Sequence, residues 1–125
     1  MSDPQLPFKN AVEARALDAL GACFTGEAVF HSPVSYRPFE GRQAVMTVLS
    51  AVMEMFEDFR YSDVVEGSDT AALFFEARVG DREIEGVDHL TFRPDGLISE
   101  LTVMIRPLSG LNAVAEDMGH RVAGR

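Results

Sequence analysis

Residues 86–101, GVDHLTFRPDGLISEL, read as two strands joined by a turn. From His89 to Phe92 polar and apolar residues alternate, the period of a strand with one buried face, and RPDG supplies the proline and glycine of a tight turn. The alternation puts Asp88 on the same side as Leu90 and Phe92. Neither of those neighbours carries a charge, and an unpaired buried carboxylate is so costly that such groups find partners or keep a proton. Asp88 is therefore the leading functional candidate, as a pocket acid or base; the competing reading is a structural carboxylate bonded to backbone or to an arginine.

Working outward, RYSDVV, TAALFFEARV, EIEGVDHLTF and LISELTVMIR are four strand-like runs between Phe59 and Arg106, joined by EGSD, VGDR and RPDG. Connectors this short fit an antiparallel meander and exclude parallel crossovers between these runs. Before them, residues 42 to 57 place Val45, Val48, Leu49, Val52 and Phe56 at helical intervals, which predicts a long helix with one buried stripe. Residues 10 to 24 suit one or two short helices, Ala28 to Val34 a strand ending at Pro33, and SYRPFEG a loop. SGLNAVAEDM is expected to begin a short helix capped by Ser109, and GHRVAGR to fray. Helices and strands segregated in this way imply an α+β fold, helices packed on one face of a curved antiparallel sheet, with a cavity between the layers as a natural small-molecule site.

At 125 residues the chain has room for one domain, spanning 1–125. Twenty acidic against eleven basic residues leave a formal net charge of −9, which argues against nucleic acid and anionic membranes as partners. The one cysteine, Cys23, excludes an internal disulfide and reads as a small core residue in a helical stretch. MSDPQLPF lacks the features of a secretory signal, so the cytoplasm is the expected compartment.

Two motifs, AVFHSPVSYRPFEGR at 28–42 and GVDHLTFRPDGLISEL at 86–101, resemble the nuclear transport factor 2-like superfamily, and more narrowly its SnoaL-like and ketosteroid-isomerase-like bacterial members. The resemblance covers roughly residues 8 to 108. It implies a cone-shaped fold in which a bent sheet wraps round helices and encloses an apolar pocket, with dimerisation through the outer sheet face. Carried over residue by residue, the protonated oxyanion-hole aspartic acid of ketosteroid isomerases matches Asp88. Their proton-shuttling carboxylate falls on Ser32, and their first-helix tyrosine falls near Phe8, so two of the three groups are replaced, which argues against ketosteroid isomerisation itself. Limonene epoxide hydrolase, a second resemblance, needs an arginine where Gly86 stands and a carboxylate on the last strand, whose inward residues here are Leu101, Val103 and Ile105.

The remaining candidates follow from alternation. Ser32 shares a face with Phe30 and is expected inward, as a ligand-holding hydroxyl or as the cap of the turn at Pro33. His31 and His89 lie on the opposite, outer face, where a dimer interface is expected, and with His120 in the tail they form no metal site. Tyr36 is placed in a loop over the pocket mouth and Tyr61 opens a strand; either hydroxyl could reach a ligand, and neither stands out from ordinary loop and strand-edge tyrosines. Glu76 and Arg78 share a face, with Arg78 a possible partner for Asp88. Met46, Met53, Met55 and Met104 read as packing or interface residues. The expected function is a small lipophilic-molecule pocket whose wall is Phe30, Ser32, Tyr36, Val52, Phe56, Leu90, Leu101, Val103 and Ile105. Cofactor-free isomerase, cyclase or hydratase chemistry would centre on Asp88; the alternative is a non-catalytic dimeric ligand-binding or interaction module.

Overall fold

The computed structural model describes residues 3–123. Two short helices, α1 (Leu6–Ala14) and α2 (Leu17–Gly21), lead into β1 (Phe24–His31) and the two-residue β2 (Phe39–Glu40). Then come α3 (Arg42–Met55), β3 (Glu57–Glu66), β4 (Thr70–Val79), β5 (Arg82–Phe92), β6 (Ile98–Arg106) and α4 (Leu108–Ala123). One six-stranded curved sheet runs in the order β2-β1-β6-β5-β4-β3. The last four strands form the expected meander, each antiparallel to the next.

Three local readings are corrected. β1 joins the sheet parallel to β6, so the sheet is mixed at that edge; the connection runs through α3 and the whole meander, long enough to satisfy a parallel pairing. Inside the SYRPFEG loop, Phe39 and Glu40 pair with Phe30 and Val29 to make β2. The C-terminal helix begins at Leu108, directly after the cis Arg106–Pro107 bond, so Ser109 lies within it rather than capping it, and it continues through GHRVA to Ala123 instead of fraying there.

The long helix behaves as its spacing dictates, burying Val45, Val48, Leu49, Ala51 and Met55 against the sheet. Each such apolar side chain contributes about 1.5–3 kcal/mol, so Val48→Asp would unseat the helix. It stops two residues short of the expected end because Phe56 turns extended, and β3 begins at Glu57 rather than Arg60. That early switch lets Phe59 and Tyr61 alternate inward. Cys23 sits in the turn between α2 and β1 rather than in a helix, buried, its Sγ 3.4 Å from the Ala19 carbonyl, and burial raises its pKa.

The RPDG turn closes as its residues require: Gly96 takes φ +86°, a left-handed value that glycine alone adopts freely, while Arg93 and Leu97 close the loop and Asp95 accepts from the Leu97 N–H. Across β4 and β5 the register sets Phe75 directly opposite Gly86. A methyl group on Gly86 would collide with the Phe75 ring and lie 2.7 Å from the Met104 carbonyl oxygen. The aromatic ring thus occupies the space in which an epoxide-hydrolase-type arginine would have to stand.

Candidate functional site

The inner face of β5 carries Ile84, Asp88, Leu90 and Phe92, all buried, as the alternation requires. Asp88 is 8 % exposed. Its neighbours in the sheet, Leu73 on β4 and Val103 on β6, are both apolar. Tyr61 Oη donates a hydrogen bond to Asp88 Oδ2 at 2.8 Å. Tyr61 lies on β3, opposite Phe75 of β4, so its phenol crosses β4 diagonally to reach β5. Register shifts in β3 on both sides of Arg60 and Tyr61 re-aim the side chain.

Aromatic packing fixes the phenol. The Phe59 ring meets Tyr61 edge-on at 4.9 Å and stacks on Phe75 at 5.0 Å, and Phe56 closes the cluster 5.9 Å from Phe75. Pairs of this geometry contribute about 0.5–1.5 kcal/mol beyond their burial, which favours the orientation that carries the Tyr61 hydroxyl to Asp88.

Burial drives the Asp88 pKa up, and the hydrogen bond from Tyr61 holds it partly down, leaving it at about 7. Tyr61 is pushed well above its ordinary value, first by burial and then by the Asp88 charge, its hydrogen bond to Asp88, and the charge of Glu13. The phenol therefore stays protonated while Asp88 populates both forms near neutral pH. Neutral Asp88 can donate a hydrogen bond; ionised Asp88 can accept a proton. Arg78, the cation considered for Asp88, lies on the outer face and bonds Asp58 at 2.9 Å and the Gly80 carbonyl. Glu76 pairs there with Arg60 at 2.6 Å.

Asp88 and Tyr61 face a cavity of about 60 Å³ walled by side chains from the helices and the sheet. Of the expected wall, Phe30, Ser32, Val52, Phe56, Val103 and Ile105 are present. Leu90 and Leu101 are fully buried in the core and stand behind the wall, because their strand positions are covered by neighbouring side chains. Tyr36 projects entirely into solvent, away from the cavity. Ser32 touches the cavity, but its Oγ accepts from the Val34 N–H at 3.1 Å, the turn-capping role. On the outer face His31 Nε2 lies 2.7 Å from Glu100 Oε2, and His89 is exposed.

Sequence reasoning names Tyr61 without linking it to Asp88, and misses the contribution of α4, which places Val114 and Met118 in the cavity wall. The recoverable signal was Phe59 and Tyr61 at a spacing of two, the mark of one strand face. Phe8, standing near the position of the first-helix tyrosine, is buried in the wall and packs edge-on against Phe24.

The SnoaL-like domain family matches residues 8–101. A steroid delta-isomerase from Pseudomonas aeruginosa is similar in structure, with a TM-score of 0.92 and 36% identity over 97% of this chain and 90% of that one. A protein with a cystatin-like fold from Silicibacter pomeroyi gives a TM-score of 0.91 at 28% identity, over 97% of this chain and 86% of that one. A nuclear transport factor 2-like protein from Mesorhizobium loti shares the fold at a TM-score of 0.72 and 20% identity, over 83% and 88% of the two chains. No curated protein matches the chain. A bent sheet folded over helices with a cavity between them, and a family match over most of its length, come to the same conclusion: the chain belongs to the SnoaL-like family, within the nuclear transport factor 2-like superfamily.

Proposed function

We propose that this protein binds a small lipophilic carbonyl compound and promotes cofactor-free isomerisation, cyclisation or hydration, with Asp88 as its acid/base group. The observation that carries this reading is the state of Asp88: buried, facing an apolar cavity, hydrogen-bonded by a neutral phenol, with a pKa of about 7. A carboxyl perturbed by burial and set against a cleft is a functional-site candidate on physical grounds. Protonated Asp88 would donate to the substrate carbonyl and stabilise the negative charge that develops on its oxygen; ionised Asp88 would take a proton from a neighbouring carbon. Tyr61, by donating to Oδ2, would steady the ionised form and keep the carboxyl oriented.

The 36% identity to a steroid delta-isomerase supports the isomerase end of this range. Cavity size argues for a smaller substrate: about 60 Å³ is far below the roughly 300 Å³ at which drug-sized pockets begin. The second reading is a binding module, favoured by Ser32, which stands where ketosteroid isomerases carry a second carboxylate and is occupied in capping a turn. In either case the outer sheet face, with Phe74, Val65 and Met104 exposed, is read as a homodimer surface. No helix among the described residues is long and apolar enough to cross a membrane.

Thermal unfolding and turnover assays of wild type and Asp88→Asn against lipophilic ketones, phenols, lactones and epoxides separate the readings. The enzyme reading expects a ketone that stabilises wild type, is turned over, and loses about a hundredfold in kcat with Asp88→Asn while its affinity stays within about tenfold. Tight binding without turnover across the panel would leave the binding module.

A further inference from the structure

A second cavity, about 130 Å³, adjoins the first and shares Val12, Val52, Met53, Phe56 and Phe59 with it, adding Glu13 and Arg15 at its outer end. It lies where the end of α1 faces the end of α3. Arg15 caps α1 in a left-handed conformation, φ +55°, its N–H bonded to the Ala11 and Val12 carbonyls. Its guanidinium donates to the Met53 carbonyl, tying α1 to α3 across the gap. The local charges do not cancel: Lys9 neutralises Glu13 at 3.0 Å, whereas Arg15 forms none of the ion pairs among the described residues. A positive group therefore sits exposed at the outer end of the second cavity in a chain whose formal net charge is −9.

We propose that this gap is the portal of the pocket, and that Arg15 there binds the acidic end of a small lipophilic keto acid whose carbonyl reaches Asp88. The proposal rests on the pocket reading above and adds the substrate's second polar group. The two cavities together exceed the roughly 150 Å³ that admits a benzene-sized molecule, which sets the apolar body at about one ring. Phe56 and Phe59, common to both cavities, flank that body, and a carboxylate beyond them stays in water, where guanidinium binds it without desolvating either charge.

The test compares 3-(4-acetylphenyl)propanoate with its methyl ester by calorimetric titration at low salt, on wild type, Arg15→Gln, Arg15→Lys and Asp88→Asn. Wild type should bind the acid about two- to fivefold more tightly than the ester, as expected for one exposed charge pair, and the preference should shrink in 0.5 M salt. Arg15→Gln should equalise the two ligands by weakening the acid alone; Arg15→Lys should restore much of the preference. Equal binding of acid and ester by wild type, with Asp88→Asn weakening both, would overturn the portal and leave the pocket reading standing. Equal weakening of both ligands by Arg15→Gln would also overturn it, reducing Arg15 to a structural tie. Binding of neither ligand would overturn the portal, and the panel of ketones, phenols, lactones and epoxides then decides the pocket reading separately.

Discussion

Glu85 and Asp88 are carboxylates on one strand that point to opposite faces of the same sheet. Glu85, exposed, meets the Arg106 guanidinium, its directly paired residue on β6. Asp88, buried, meets the Tyr61 phenol. A guanidinium compensates a carboxylate's charge, whereas a phenol only solvates it, so the inner carboxylate retains a proton far more readily than an ordinary aspartate. The outer pairs, Arg60 with Glu76, Arg78 with Asp58 and Arg106 with Glu85, decorate a wet surface where ion pairs contribute little. One face of the sheet carries its charges into solvent; the other holds a carboxyl and a phenol in oil, of which only the carboxyl titrates near neutral pH.

The largest expected effect breaks the inner half of that comparison. The folded pKa of Asp88 lies above its ordinary value, so between about pH 4 and pH 7 the folded chain binds more protons than the unfolded one and stability falls as pH rises. The loss is absent below about pH 4, complete above about pH 7, and amounts to about 4 kcal/mol. Asp88→Asn lacks this linkage. Urea unfolding should show the variant gaining on wild type by up to about 4 kcal/mol between pH 4 and pH 8, and a gap that does not change with pH would remove the proton from the account.

Tyr61→Phe comes next. It deletes a hydrogen bond to a charged acceptor, and should destabilise the protein by about 1.5–3 kcal/mol at pH 8 and by less at pH 5, where Asp88 is protonated. The same substitution should raise the Asp88 pKa, since the phenol is the group that lowers it.

Gly86→Ala sharpens the packing side of the inner face. The added methyl has nowhere to go between the Phe75 ring and the Met104 carbonyl, and about 1–3 kcal/mol should be lost in denaturant unfolding at any pH. Wild-type stability for this variant would mean that the aromatic cluster is looser than the contacts indicate. At the small end, Glu85→Gln should change stability by less than about 1 kcal/mol, and that difference should vanish in 0.5 M salt.

How much of this was legible beforehand follows from which interactions are local. Asp88 was placed inward by alternation within seven residues, and the stripe of α3 by a period of three to four; both patterns are written in consecutive residues. The Tyr61 partnership is not. It depends on β3 lying beyond β4, on the register that sets Phe75 between Tyr61 and Gly86, and on the irregularity that shifts that register, none of which a single strand encodes. β2 was missed because two residues show no period, and α4 was cut short because Gly119 and its neighbours disfavour a helix that packing of Val114 and Met118 nevertheless supports. Leu90 and Leu101 were assigned to the right face and the wrong depth, since facing inward does not distinguish a cavity wall from the core behind it.

The central claim, that Asp88 exchanges a proton near neutral pH beside a phenol that does not, is tested most directly by following the Asp88 side-chain carboxyl carbon by NMR from pH 3 to pH 9 in wild type and Tyr61→Phe. The account predicts a midpoint of about 7 in wild type and a higher one in the variant. A wild-type midpoint near 4 would contradict it, and would return Asp88 to the company of the ordinary carboxylates on the outer face.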